Sequence, residues 1–217
     1  MTEADWLAAT DPRHILYAPG WQHRRPSDPK WLDTCDPRVT DERKLRLYAC
    51  ACFRLSFPEL TYLVDRLALD AAERFADGII PAGELAEVSQ RCGLTASVMT
   101  HQPALSAARS AVGGHPVRPN HPAGPQQPLP NPVRCDLLRC IFGNPFRPVA
   151  FDPRWRTETA VALATGIYAD RAFDRMPVLA DALEEAGCDQ VDVLAHCRGP
   201  GPHARGCWVV DGVLGKG

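Results

Sequence analysis

The chain has 217 residues, a net charge of -2 and an apolar fraction of 45%, the profile of a globular protein with one full core or two small ones. The near-neutral balance argues against bulk electrostatic binding of nucleic acid. No apolar run approaches the roughly 20 residues that span a bilayer, and the acidic start Met1-Thr2-Glu3-Ala4-Asp5-Trp6 lacks the pattern of an export signal, so a cytoplasmic protein without membrane association is expected.

Residues 1–39 read as an irregular N-terminal arm carrying Trp6, Trp21 and Trp31 among prolines and charges. A short helix is predicted at its start, with Thr2 as the cap. Helical periodicity fills residues 40–112. Leu45, Tyr48, Cys52 and Leu55 form one stripe, with Lys44, Arg46 and Arg54 off it. Asp41 and Glu42 suit the first turn of that helix. Leu60, Leu63, Val64, Leu67, Ala71 and Phe75 form the next stripe, closed by Gly78. Pro81 opens a third helix with Leu85, Val88 and Cys92 inward, and an alanine- and serine-rich helix is predicted over 95–112.

Seven prolines and three glycines fall within residues 113–132. Proline removes the backbone donor and clashes inside a helix, so this segment reads as a linker or exposed loop, with His115 and His121 as solvated loop histidines. Residues 133–217 form a second helical region. A helix over Val133–Phe142 points Leu137, Leu138 and Ile141 inward and stops at Gly143-Asn144-Pro145. Residues 146–151 run extended, and Trp155 reads as a buried anchor between two arginines. Thr157 caps a helix to about Ala172. A helix over 174–187 holds Pro177 near its start and ends at Gly187. Asp189 caps a brief helix bearing Val191, Leu194 and Ala195. The last element, Pro202 to Leu214, reads as a helix with Cys207, Val210 and Leu214 on one stripe, a strand being the alternative at Trp208-Val209-Val210. The fold class is mostly α, an irregular multi-helix bundle with a Pro-rich central loop and little or no sheet.

Nine cysteines are many for such a chain. Without an export signal they are expected to be mostly reduced. Cys50, Cys52, Cys92, Cys135 and Cys140 sit at helix-like apolar positions, where the thiol behaves as a small hydrophobe.

The C-terminus concentrates the chemistry: Cys188, His196, Cys197, His203 and Cys207, hinged by Gly199-Pro200-Gly201-Pro202. Zinc takes four Cys or His donors in a tetrahedron. Cys188 with His196 or Cys197 can form one half of a site, and His203 with Cys207 the other. No C-x-x-C pair supports this, and a packed turn whose histidines bond backbone groups is the simpler reading. If helical, His203, Cys207 and Asp211 stand at i, i+4 and i+8, which also brings a base toward a thiol. Three such residues in line do not make a triad, because the base must stand between nucleophile and orienting group. No phosphate loop, G-x-S-x-G elbow or H-E-x-x-H motif is present. Asp181, Glu184 and Glu185 read as a solvated helix face.

Three long blocks carry a resemblance: Ile141-Phe142-Gly143-Asn144-Pro145-Phe146-Arg147-Pro148, the run Leu179 to Cys188, and the run His196 to His203 with Arg205-Gly206-Cys207-Trp208-Val209-Val210-Asp211. With Met1-Thr2-Glu3-Ala4-Asp5-Trp6-Leu7, and with Arg43-Lys44-Leu45-Arg46-Leu47 followed by Cys50 and Cys52, they resemble a paralogue-rich family of planctomycete-type bacterial proteins. The resemblance implies no particular activity, cofactor or catalytic residue. Gly212 departs from it, standing where a larger apolar residue is usual, and the Pro-rich stretch replaces a longer alanine-rich helical region. The expected function is a cytoplasmic helical protein that acts by binding a protein partner, with no catalysis or cofactor of its own. The alternative is a zinc-binding or thiol-dependent protein using the C-terminal cluster.

Overall fold

The computed structural model describes residues 1–17, 36–56, 63–91 and 129–216. These residues form ten α-helices and no strand, the mostly-α multi-helix fold that the periodicity predicts. Trp21, Trp31, Leu60, Cys92, His115, His121, the helix predicted over 95–112 and nearly all of the 113–132 segment lie outside the described residues. The chain divides into two compact units, Met1–Leu138 and Arg139–Gly217. The division falls inside a helix, past the proline-rich segment.

The first unit begins with α1 (Glu3–Ala8) and α2 (Pro12–Leu16). Thr2 and Asp5 cap α1 reciprocally: the Asp5 amide donates to the Thr2 hydroxyl and the Thr2 amide to the Asp5 carboxylate. This satisfies two amides that have no partner inside the helix, and Trp6 on the inner face is 1% exposed. α3 (Glu42–Ser56), α4 (Leu63–Ala76) and α5 (Ala82–Arg91) follow. Cys50, Phe53, Leu69, Ala72, Ile80 and Leu85 form their shared core. Arg54 links α3 to α4, its Nε 2.8 Å from Glu73 and its Nη2 2.7 Å from Asp70.

The predicted stripe of α3 needs two corrections. Leu55 is 41% exposed, whereas Arg46 is buried at 8%. Arg46 packs its stem along the apolar face and lays its guanidinium 5.1 Å from the centre of the Phe75 ring. Burial lowers its pKa from the usual value, so the cation is held at a cost the ring partly offsets. A rule that assigns every charged residue to the solvent side misses this packing.

α6 (Asn131–Phe142) crosses the division, and its last residues belong to the second unit. That unit continues with α7 (Glu158–Asp170), α8 (Met176–Glu185), α9 (Val191–Arg198) and α10 (Trp208–Leu214). Ala164, Ile167, Met176, Leu179, Leu183 and Val210 are fully buried in its core. Thr157 caps α7 through the Ala160 amide, as expected, but the helix stops at Asp170 because Arg171 turns left-handed. The turn that follows α8 closes at Gly187, φ +86°, where the Cys188 amide reaches back to the Leu183 carbonyl. Asp189 does not cap α9. Gln190 occupies the cap position without a side-chain capping bond, and the Asp189 carboxylate accepts from the Gln190 side-chain amide instead.

The last element also differs from expectation. Residues 202–207 are not helical: Gly206 has φ +86° and Cys207 is the cap residue, so α10 starts at Trp208. Asp211 lies in α10, but His203 and Cys207 precede it, so no i, i+4, i+8 row exists. The strand alternative is not adopted either.

Gly212 is accounted for by its neighbour. A Cβ there would stand 2.3 Å from the Phe151 ring. Phe151 is held edge-on between Trp155 and Trp208, with ring centres 5.9 and 6.0 Å away, so it cannot swing aside without breaking both contacts. Gly212→Val is therefore expected to destabilise the protein by about 1–3 kcal/mol, measured by urea unfolding. The same change in a Phe151→Ala background should cost little; an equal cost there would contradict this packing account.

Candidate metal centre

Cys140, His196, His203 and Cys207 bring one donor atom each to a common point, all within 4.8 Å of one another. Cys140 and His196 come from helices, His203 and Cys207 from the loop that precedes α10. Cys140 lies in the last turn of α6, which Gly143 ends at φ +68°. Gly143 also makes room for Trp208: a Cβ at Gly143 would stand 3.1 Å from the Trp208 ring. Seating Trp208 against this helix end carries the preceding residue, Cys207, toward Cys140. The Trp208 ring also lies 5.5 Å from the His196 ring.

His196 projects from α9. Successive helix residues turn about 100° apart, so Val193 and Cys197 face the core and are fully buried, while His196 faces the 199–207 loop. Arg198 fastens α9 to α8 through Asp181 at 2.9 Å and Glu184 at 2.6 Å, so two of the three carboxylates predicted to be solvated are ion-paired at the surface. His203 stands in the loop itself. Arg205 pins that loop to α7, donating to the Tyr168 carbonyl at 2.9 Å and lying over the Tyr168 ring.

The spacing suits a tetrahedral ion. Zinc with sulfur at about 2.3 Å and nitrogen at about 2.0 Å separates a sulfur from a nitrogen donor by about 3.5 Å. His196 Nε2 lies 3.2 Å from Cys207 Sγ, and His203 Nδ1 lies 3.8 Å from Cys140 Sγ. The ring of His203 is oriented for such a role: Nδ1 faces the cluster while Nε2 is 3.4 Å from the Gly199 carbonyl. An imidazole that donates its outer N–H to a backbone carbonyl has its tautomer and angle fixed. The two histidine rings meet edge to face, with centres 4.9 Å apart.

The site also separates the cysteines electrostatically. Burial works against a Cys207 thiolate, but the hydrogen bond from Cys140 and the charge and hydrogen bonds of His196 and His203 outweigh it. The Cys207 thiol is held well below its usual value. Its hydrogen bond to Cys207 and its own burial push the Cys140 thiol up. Burial lowers the pKa of His203, but the Cys207 thiolate more than compensates and raises it. Burial pushes Cys197 and Cys188 up.

Of the five residues predicted as ligands, the structure brings together His196, His203 and Cys207. Cys188 packs at the end of α8 and Cys197 in the core, and neither joins the group. The fourth donor, Cys140, reads from sequence as a core cysteine. It is indeed 1% exposed, but it also meets His203 across 63 positions. No local spacing signals such a partner. A comparison of the chain with protein-family models, curated proteins and solved structures finds no match.

The metal-free chain should show a pH signature of this arrangement. The lowered Cys207 thiol contributes stability that is present above its unfolded value and lost as pH falls through its folded value. The raised His203 contributes stability that is present below its unfolded value and lost as pH rises through its folded value. The Cys207 shift is the larger of the two, so urea midpoints in the presence of chelator should fall as pH is lowered from about 9 through the folded value of Cys207. In Cys207→Ser this fall should flatten; a wild-type midpoint that does not fall over that range would contradict the charge assignment.

Proposed function

We propose that this protein binds zinc at Cys140, His196, His203 and Cys207, and that the ion is structural, closing the fold of the C-terminal unit. The observation that carries this reading is the convergence of two sulfur and two imidazole donors within 4.8 Å. A mixed thiolate–imidazole tetrahedron suits zinc, which has no geometric preference of its own and takes both donor types. Four protein donors leave no open position for a substrate water, which favours a structural role over metal catalysis. Cys207 is fully buried, which speaks against its use as a nucleophile toward large substrates.

In this reading the chain works as a binding module for another protein, and the metal fixes the shape of the unit that presents the binding surface. The resemblance to planctomycete-type proteins adds to it. Three donors lie in the His196 to Asp211 block, and Cys140 immediately precedes the Ile141 to Pro148 block. If those blocks mark a family, the metal is a family property. No helix among the described residues is long and apolar enough to cross a membrane.

The purified protein is expected to carry one zinc per chain, and chelation should lower its melting temperature. Cys140→Ala and His203→Ala should lose the metal, while Cys188→Ala should keep it. Gly201 has φ +81° and a Cβ there would press within 3.0 Å of the His203 amide. Gly201→Ala should therefore displace His203 and weaken zinc affinity by about 10- to 100-fold, read by competition with a chromogenic chelator. Stoichiometric zinc surviving in Cys140→Ala would remove that residue from the site; no zinc in the wild type, and none taken up, would remove the proposal.

A further inference from the structure

We infer that the metal centre is also an oxidation-sensitive switch, in which a peroxide joins Cys140 to Cys207 as a disulfide and expels the metal. This rests on the zinc reading above and concerns the regulation of that same site.

The geometry sets this pair of cysteines apart. The two sulfurs lie within 4.8 Å of each other, and a disulfide brings two sulfurs to about 2.05 Å. The required approach is a small one, and one partner is placed to make it. Cys140 is fixed in the last turn of α6, but Cys207 sits at the end of the 199–207 loop, outside any helix. The neighbouring cysteines of this unit are differently placed. Cys188 and Cys197 are buried in the apolar core and do not belong to the donor group.

The site also has a side from which an oxidant can enter. Cys140 and Cys207 are buried, whereas His196 and His203 are half-buried and form the solvent side of the cluster. A small neutral oxidant such as hydrogen peroxide reaches the sulfurs past these rings. A bulky disulfide such as oxidised glutathione does not.

The chemistry balances with peroxide as the only added reactant besides protons. The Cys207 sulfur, 3.2 Å from His196 Nε2, attacks one peroxide oxygen. An S–O bond forms, the O–O bond breaks, and the departing hydroxide takes a proton to become water. The Cys140 sulfur then attacks the sulfenic sulfur of Cys207. An S–S bond forms, the S–O bond breaks, and a second water leaves after protonation. Each thiolate sulfur gives up one electron and the peroxide accepts two. The metal loses both sulfur donors and retains two imidazoles, too few to hold it, so it is released. A thiol reductant reverses the step and restores both thiolates.

The test uses the full chain as purified. Zinc content is measured first, then hydrogen peroxide is titrated in while a chromogenic chelator reports released metal and peptide mapping reports cysteine linkage. The expected result is release of one zinc per chain together with a Cys140–Cys207 disulfide, reversed by dithiothreitol with re-uptake of zinc. Oxidised glutathione at the same concentration should release at least tenfold less. Cys197→Ala should release zinc as the wild type does. Zinc present but retained under excess peroxide, or released with Cys140 and Cys207 oxidised separately and unlinked, would overturn the switch and leave the zinc reading standing. Zinc absent from the protein and not taken up on addition would overturn the zinc reading, and this inference with it.

Discussion

Trp208 against Gly143 is the contact on which the C-terminal site depends. Gly143 ends α6 in a left-handed turn and offers no side chain, and the indole occupies the space that a Cβ would take. Cys207 precedes Trp208, and Cys140 lies three residues before Gly143. Docking one aromatic ring therefore delivers a thiol from the loop to a thiol on the helix. The same ring touches His196 and stands edge-on to Phe151, whose other side meets Trp155. The apolar packing and the polar cluster therefore share one element.

The cluster carries a cost that a metal removes. Neighbouring groups lower the Cys207 thiol and raise the His203 imidazole against the effect of burial, and charge held in a buried site contributes little net stability unless its geometry and hydrogen bonds are good. Cys140 lies beside them with its thiol pKa pushed up. A divalent cation reverses this balance: it stabilises both thiolates at once and replaces the protons held on Cys140 and His203. The outer bond from His203 to the Gly199 carbonyl, and the loop pinned by Arg205, fix the donors before any ion arrives.

Much of the fold was legible because its signals are local. Thr2 and Thr157 cap their helices through bonds spanning three residues, and Gly78, Gly143 and Gly187 end helices in left-handed turns. The site was legible in part. His196, His203 and Cys207 stand out by density in the sequence, but helical spacing does not describe their geometry. His203 and Cys207 meet through a loop broken by Gly206 and not along a helix. The choice between His196 and Cys197 depends on which face of α9 meets the core, and a two-turn helix with apolar residues at Val191, Val193, Leu194, Ala195 and Cys197 leaves that phase open. Cys140 was the least legible, because a buried cysteine on an apolar face carries no mark of a partner 63 positions away. Arg46 illustrates the same limit, since its partner ring on α4 is a tertiary fact.

The most direct test of the centre is X-ray absorption at the zinc edge on the purified full chain. The account predicts a four-donor shell with two sulfurs at about 2.3 Å and two imidazole nitrogens at about 2.0 Å, changing to one sulfur in Cys140→Ser. A shell of oxygen and nitrogen alone, or a sulfur count unaltered by that substitution, would contradict it.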